Sequence, residues 1–286
     1  MKKYTLTLML AFLFCNLSGQ RIDMPTLSPF SEIKQQVGLT EITVQYSRPS
    51  AKGRTIMGEL VPYQKMWRTG ANASTKIILN ESATIGGNKI EAGTYAIYTI
   101  PDRETWTIII HSNTRHRSIA GDVYNEREDV CRFKVPVISN PLKEETFTIQ
   151  FTDLTTNACN IRLSWENTVV NIPVMVEVDS KILAQIDTLV SDMDFASHRA
   201  LFQAAEYFLH NKKNLDKALS WINSALQKSE NNFRYGLLKA KILNAKGSKK
   251  EAIEAIDMAH QWAVLAGNAN YMEQTALYKK ELLKDQ

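Results

Sequence analysis

Residues 83–100 read ATIGGNKIEAGTYAIYTI, and this stretch decides the fold. Gly86-Gly87-Asn88 stands between Ala83-Thr84-Ile85 and Lys89-Ile90. Two adjacent glycines reach positive φ at little steric cost, which is what a tight β-hairpin turn requires. From Thr94 to Ile100 the chain is rich in β-branched and aromatic side chains, the composition of a strand. Working outward, Ile42-Thr43-Val44-Gln45-Tyr46 alternates apolar and polar residues with the period of a half-buried strand. Residues 76–79 and 105–111 follow the same habit, and Pro101-Asp102 turns the chain before the latter. Further strand-like runs cover 132–138, 146–151, 160–165 and 168–178. About nine short strands with no helical period between them predict an antiparallel sandwich or barrel over residues 41–178. Residues 20–40, with Pro25 and Pro29, read as a leader that wraps onto this domain.

At Asp179 the pattern changes. Ile182, Leu183, Ile186, Leu189, Val190 and Met193 fall on one helical stripe, and no proline follows to the C-terminus. An offset of 34 residues relates Leu209 to Leu243, Ala218 to Ala252, Ile222 to Ile256 and Ala225 to Ala259. That is the period of tetratricopeptide helix-turn-helix units, so residues 179–286 read as helical hairpins of that kind, closed by a helix from Asn268 to Leu283. An unrelated hairpin bundle fits the same residues. So few repeats need another surface to cover them, either the β domain or a protein partner. The whole is an α+β multidomain chain.

The chemically densest segment lies between Tyr46 and Thr75. Arg48, Lys52, Arg54 and Arg68 bring four cations into a loop-rich region, joined by Trp67 and Asn72. Guanidinium forks match the oxygens of carboxylate or phosphate in pairs, and a tryptophan face can stack on a sugar ring or a guanidinium. One reading is therefore a site for a small anionic or carbohydrate ligand. The other is architectural, with the arginines pinning long loops to carbonyls and carboxylates.

The motifs YSRPxxKGR (46–54), LVPYxxxWRTGANxxT (60–75) and AGTYxxxTIP (92–101) resemble the bacterial family catalogued as domain of unknown function twenty-nine-eleven. The resemblance covers residues 40–178 and implies an exported β domain with no established activity, often followed by tetratricopeptide-like helices. The family usually carries a tryptophan beside the glycine near Asp122-Val123-Tyr124, where this chain has Ile119-Ala120-Gly121.

The N-terminus adds a location. Lys2 and Lys3 precede an apolar run from Leu6 to Phe14, and Leu17-Ser18-Gly19 offers a cleavage point before Gln20. This is the layout of a secretory signal over residues 1–19, and it predicts an exported protein of the periplasm or envelope. The bulky residues before Cys15 argue against a lipoprotein. Removing Lys2 and Lys3 lowers the formal charge from +4 to +2, too weak an excess for nucleic-acid binding. No later segment has the roughly 20 apolar residues of a membrane-spanning helix.

Cys131 and Cys159 are then the remaining cysteines, and an oxidising compartment permits a disulfide between them. His111 and His116 lie five apart without a companion ligand motif, so no metal and no cofactor is expected. Trp106 and Trp165 sit in alternating strands and read as core. The functional expectation is a binding or interaction protein. Two alternatives stand beside it, a hydrolase using Arg68 and Asn72 as oxyanion donors and a pure assembly scaffold.

Overall fold

The computed structural model describes residues 24–115 and 124–284. The signal-like residues 1–19, His116 and the loop at Ile119-Ala120-Gly121 lie outside them. The chain divides into two compact units, Met1–Val178 and Asp179–Gln286.

The first unit is a nine-stranded antiparallel sheet with strand order β1-β2-β3-β6-β7-β8-β9-β4-β5. Its strands are β1 Phe30–Val37, β2 Thr40–Ser47, β3 Thr75–Leu79, β4 Ala83–Ile85, β5 Asn88–Ile90, β6 Gly93–Ile100, β7 Thr105–His111, β8 Asp129–Thr152 and β9 Ala158–Val176. In the 83–90 hairpin Ile85 pairs with Asn88, and Gly86 and Gly87 take φ of 55° and 82°. Positive φ at both turn residues is the type I′ geometry that matches strand twist.

The sheet curls until distant parts of it meet. Beyond β2 the chain runs on beside β8, where Phe147 N–H donates to the Pro49 carbonyl at 2.9 Å and Ala51 N–H to the Glu145 carbonyl at 2.8 Å. The enclosed core draws on most of the strands, with Val44, Ile77, Ile108, Phe147, Leu163 and Ile172 all at or below 2% exposure. Strand β6 is covered on both faces: Tyr95 and Ile97 face this core, whereas Ala96 and Tyr98 join Ile109 in a smaller cluster behind it. The sandwich-or-barrel reading therefore holds as one curled antiparallel sheet around a common core.

Three readings differ from the sequence expectation, one of them being that the runs 160–165 and 168–178 are a single strand, β9. Phe30–Val37, read as part of the leader, is a full strand paired with β2 from Phe30↔Ser47 to Val37↔Thr40. It was hidden because its inward positions carry Ser31 and Gln35 as well as Ile33 and Val37, as an edge strand allows. The separate runs 132–138 and 146–151 are one strand, β8, whose pairing with β9 slips between Ser139 and Glu144 and again before Thr148. These bulges bend the strand without ending it, so Asn140-Pro141 is no chain reversal.

The bridge between Cys131 and Cys159 does not form, and both thiols are free. Cys131 pairs with Ile110 near the start of β8, while the register places Asn160, next to Cys159, opposite Thr152 at the far end of that strand. Burial pushes the Cys131 thiol up and raises Cys159 to about 11, so both stay protonated at neutral pH.

The second unit holds six helices: α1 Asp179–Val190, α2 His198–His210, α3 Leu215–Lys228, α4 Phe233–Ala245, α5 Lys249–Leu265 and α6 Ala269–Lys284. Ser197, Asn214 and Asn232 each accept a backbone N–H in the first turn of α2, α3 and α4, satisfying donors a helix cannot satisfy itself. The 34-residue offset superposes α3 on α5, and Ala218, Ile222, Ala225, Ala252, Ile256 and Ala259 are all fully buried. Small residues allow close approach here, since a Cβ on Gly236 would stand 2.8 Å from that of Ala259. No described helix is long and apolar enough to cross a membrane.

The hairpin offers a test of turn geometry against packing. A Cβ on Gly86 would meet the Phe133 ring at 2.3 Å, whereas one on Gly87 would meet nothing within 4 Å. Both positions have left-handed φ. Gly87→Ala should cost about 1 kcal/mol, from backbone strain alone. Gly86→Ala should cost roughly 2–4 kcal/mol, because overpacking is added. Urea unfolding reads the difference, and equal losses would remove Phe133 from the account.

Candidate functional site

The segment after β2 folds back on itself because its polar groups find partners at short range. Residues 51–54 make a turn with Lys52 and Gly53 at φ of 51° and 74°, closed by the Arg54 N–H donating to the Ala51 carbonyl at 3.1 Å. The Arg54 side chain reinforces it, with Nε donating to the Ala51 carbonyl at 2.9 Å and Nη2 to that of Ser50 at 2.8 Å. Arg48 turns elsewhere: its Nε reaches the Phe147 carbonyl at 3.3 Å and its Nη2 the Thr148 hydroxyl at 2.9 Å. That guanidinium fastens the end of β2 to β8.

The run WRTGAN, residues 67–72, is a second folded loop. Trp67 adds itself to β6 by exchanging backbone hydrogen bonds with Thr99 at 2.7 and 2.9 Å. Its indole N–H donates to the Gly70 carbonyl at 3.1 Å, and Arg68 Nη1 donates to the Asn72 carbonyl at 2.8 Å. Gly70 has φ of 149°, and a Cβ there would lie 3.1 Å from the Ser47 carbonyl, so glycine suits the position on both counts. The Asn72 amide donates to the Ser28 carbonyl and the Ser47 hydroxyl, each at 3.2 Å, which ties the chain before β1 to the end of β2.

These loops frame a cleft of about 720 Å³. Lys52, Arg54, Arg68 and Asn72 line it, and Trp67 and Trp165 contribute aromatic surface. Trp67 stacks on Trp165 with centroids 5.9 Å apart and meets Phe147 edge-on at 5.0 Å and Trp106 at 6.0 Å. The indole faces are thus largely taken by other rings, so Trp67 serves as wall more than as an open stacking platform. Trp106 and Trp165 are 2% exposed and are core, as their strand positions imply.

Of the six residues singled out in the sequence, five line the cleft and Arg48 does not. Leu27, Leu60 and Val61 line it as well and carried no local signal. They reach it only through the Asn72–Ser28 tie and the pairing of 49–51 with β8.

The electrostatics are one-sided. Among the described residues no carboxylate and no imidazole lines the cleft. The Lys52 ammonium has no hydrogen-bond or ion-pair partner among them. The nearby Glu145 carboxylate instead accepts the Lys52 backbone N–H at 2.7 Å. Arg54 is held by carbonyls, which fix its position but leave its charge uncompensated. Lys52, Thr69 and Asn72 all adopt left-handed φ, of 51°, 58° and 62°, and Glu166 beside Trp165 has 50°. Such conformations cost about 1–3 kcal/mol each and gather where a surface is shaped for a ligand.

His111 is a different case. It is fully buried, its Nδ1 accepts the Asn113 N–H at 3.1 Å, and with the proton on Nε2 it donates to the Asn125 carbonyl at 3.2 Å. Glu128 and Asp129 oxygens stand 3.8 and 3.9 Å away, and the Tyr124 ring lies 4.9 Å from the imidazole. Burial first, and then the hydrogen bond to Asp129, push the Tyr124 phenol up. With both ring nitrogens satisfied by backbone, His111 is a structural pin. No group of three or more His, Cys, Asp or Glu able to hold a metal occurs among the described residues.

Together these features define a curled antiparallel β domain with a basic, aromatic-walled cleft, joined in sequence to a helical unit. The chain belongs to the family described as Protein of unknown function (DUF2911), whose model matches residues 28–174. No curated protein and no solved structure matches it.

The hydrogen bonds separate the cations by role. Arg48→Ala leaves the partly buried Phe147 carbonyl short of a donor and should lower stability by about 1–3 kcal/mol. Lys52→Ala removes no hydrogen bond and should leave stability within about 0.5 kcal/mol. Thermal unfolding of both variants at low and high salt tests this, and a larger loss for Lys52→Ala would contradict the assignment.

Proposed function

We propose that this is an exported protein whose β domain binds a small anionic ligand in the basic cleft, acting by binding rather than by catalysis. The observation that carries the reading is the pair Lys52 and Arg54, both lining the cleft without a carboxylate partner among the described residues. Carbonyl-held guanidinium groups support it further. A cation fixed by neutral acceptors keeps its charge and loses little freedom on binding, which is preorganisation for an anion. The pinning and binding readings of these arginines are therefore compatible.

The hydrolase alternative has less support. Both hydrogens of the Asn72 amide are spent on Ser28 and Ser47, and Arg68 Nη1 on the Asn72 carbonyl. Donors committed to the protein's own oxygens are poorly placed for a developing oxyanion.

Calorimetric titration of the protein with citrate and with inorganic phosphate at low ionic strength tests the site. Binding of at least one is expected, weakened by added salt, with Lys52→Ala reducing affinity by about tenfold. If neither anion binds at millimolar concentration, the reading is wrong.

Export and partner binding complete the proposal. Lys2, Lys3 and the apolar run from Leu6 to Phe14 support cleavage before Gln20. The repeated buried positions of α3 and α5 support a tetratricopeptide-like unit that offers a surface to a protein partner. Cross-linking in a bacterial host expressing the full sequence addresses both. The protein should be recovered from the envelope fraction with an N-terminus near Gln20, and its protein cross-links should map to residues 179–286. An intact N-terminus, or a product beginning at Cys15, would overturn the export reading.

A further inference from the structure

Beside its cations the cleft displays apolar surface that the described chain leaves uncovered. Leu27 and Leu60 line it at 80% and 46% exposure. Val61 and the edges of Trp67 and Trp165 continue that surface inward. A bare inorganic anion would satisfy Lys52 and Arg54 and leave this apolar lining wet. The volume of about 720 Å³ is also far more than such an ion needs, and falls within the range of roughly 300–1,000 Å³ typical of sites for organic ligands.

The charge sets the head group. Lys52 brings a compact ammonium on an exposed stem, able to follow one oxygen. Arg54 is held through Nε and Nη2, and its Nη1 has no partner among the described residues. Two cations without carboxylate partners match two negative charges better than one. Glu145 and Glu166 are the nearby acids on the packed elements. Both are engaged by backbone, Glu145 by the Lys52 N–H and Glu166 by the Ile56 N–H at 3.0 Å.

Resting on the anion-site reading above, we propose that the cleft selects an amphipathic dianion: a phosphate monoester or a pair of carboxylates carried on a compact apolar body. The head lies between Lys52 and Arg54, and the body covers Leu60, Leu27 and the tryptophan edges. Arg68 and Asn72 shape the wall through their own loop and are not required to release their partners.

Four probes of graded chemistry test this by calorimetry on the full protein: phenyl phosphate, inorganic phosphate, benzenesulfonate and phenol. Phenyl phosphate should bind about tenfold more tightly than inorganic phosphate, the gain expected from covering leucine-sized apolar surface. It should also exceed the singly charged benzenesulfonate by about tenfold, and phenol should not bind at millimolar concentration. Leu60→Ser, at an exposed position, should weaken phenyl phosphate several-fold and leave inorganic phosphate unchanged. Lys52→Ala should weaken both phosphates. Equal affinity for phenyl and inorganic phosphate would overturn the amphipathic selection while leaving an anion site intact. Equal affinity for phenyl phosphate and benzenesulfonate would overturn the dianion. Failure of every anion to bind would overturn this inference and the anion site together.

Discussion

Trp67 sits against Trp165, Phe147 and Trp106, and the shape of the β domain around the cleft follows from that contact. The residue belongs to a loop, yet its half-buried ring packs against side chains from β7, β8 and β9. Aromatic pairs at these distances add about 0.5–1.5 kcal/mol each beyond the area they bury. With its backbone bonded to Thr99 and its indole N–H to Gly70, the loop is anchored from both sides. Everything after it in the motif is then forced: Gly70 must pass close to the Ser47 carbonyl, and Asn72 must turn with positive φ toward Ser28.

The same anchoring explains how the domain can hold cations in a cleft that no carboxylate lines among the described residues. Like charges in one cleft repel, and folding alone gives no reason to gather them. Here the guanidinium groups of Arg54 and Arg68 each donate to backbone carbonyls. Charge-assisted hydrogen bonds to neutral oxygens offset the repulsion while leaving the field of the cleft positive. Strain at Lys52, Thr69 and Asn72 is tolerated for the same reason, since the Trp67 anchor and the pairing of 49–51 with β8 over-determine the loops between them.

Against this frame, most of the local organisation was legible in the chain. The Gly86-Gly87 hairpin, the alternation of β2, the β-branched and aromatic run of β6, and the buried Ala and Ile positions of α3 and α5 are all local patterns, and each is found where the pattern put it. The edge strand β1 escaped because serine and glutamine occupy its inward positions. The continuity of β8 escaped because the first of its two register slips spans Asn140-Pro141, a pair that reads locally as a turn. Cys131 and Cys159 invited a bridge that the register of β8 with β9 forbids, and register is not a local property.

The candidate site divides along the same line. The sequence by itself determined which residues could meet an anion, because arginine, lysine and asparagine declare their chemistry wherever they stand. It also determined the helices and most of the strands, through periodicities of 3.6 and two residues that depend only on near neighbours. Only the tertiary structure decided that Arg48 turns away to β8, that Trp67 spends its faces on other rings, and that Leu27 and Leu60 come to the cleft from separate segments. Those outcomes depend on how a curled sheet brings residues 27, 60, 72 and 147 together. Contacts between residues so far apart in the chain leave no pattern within any window of it.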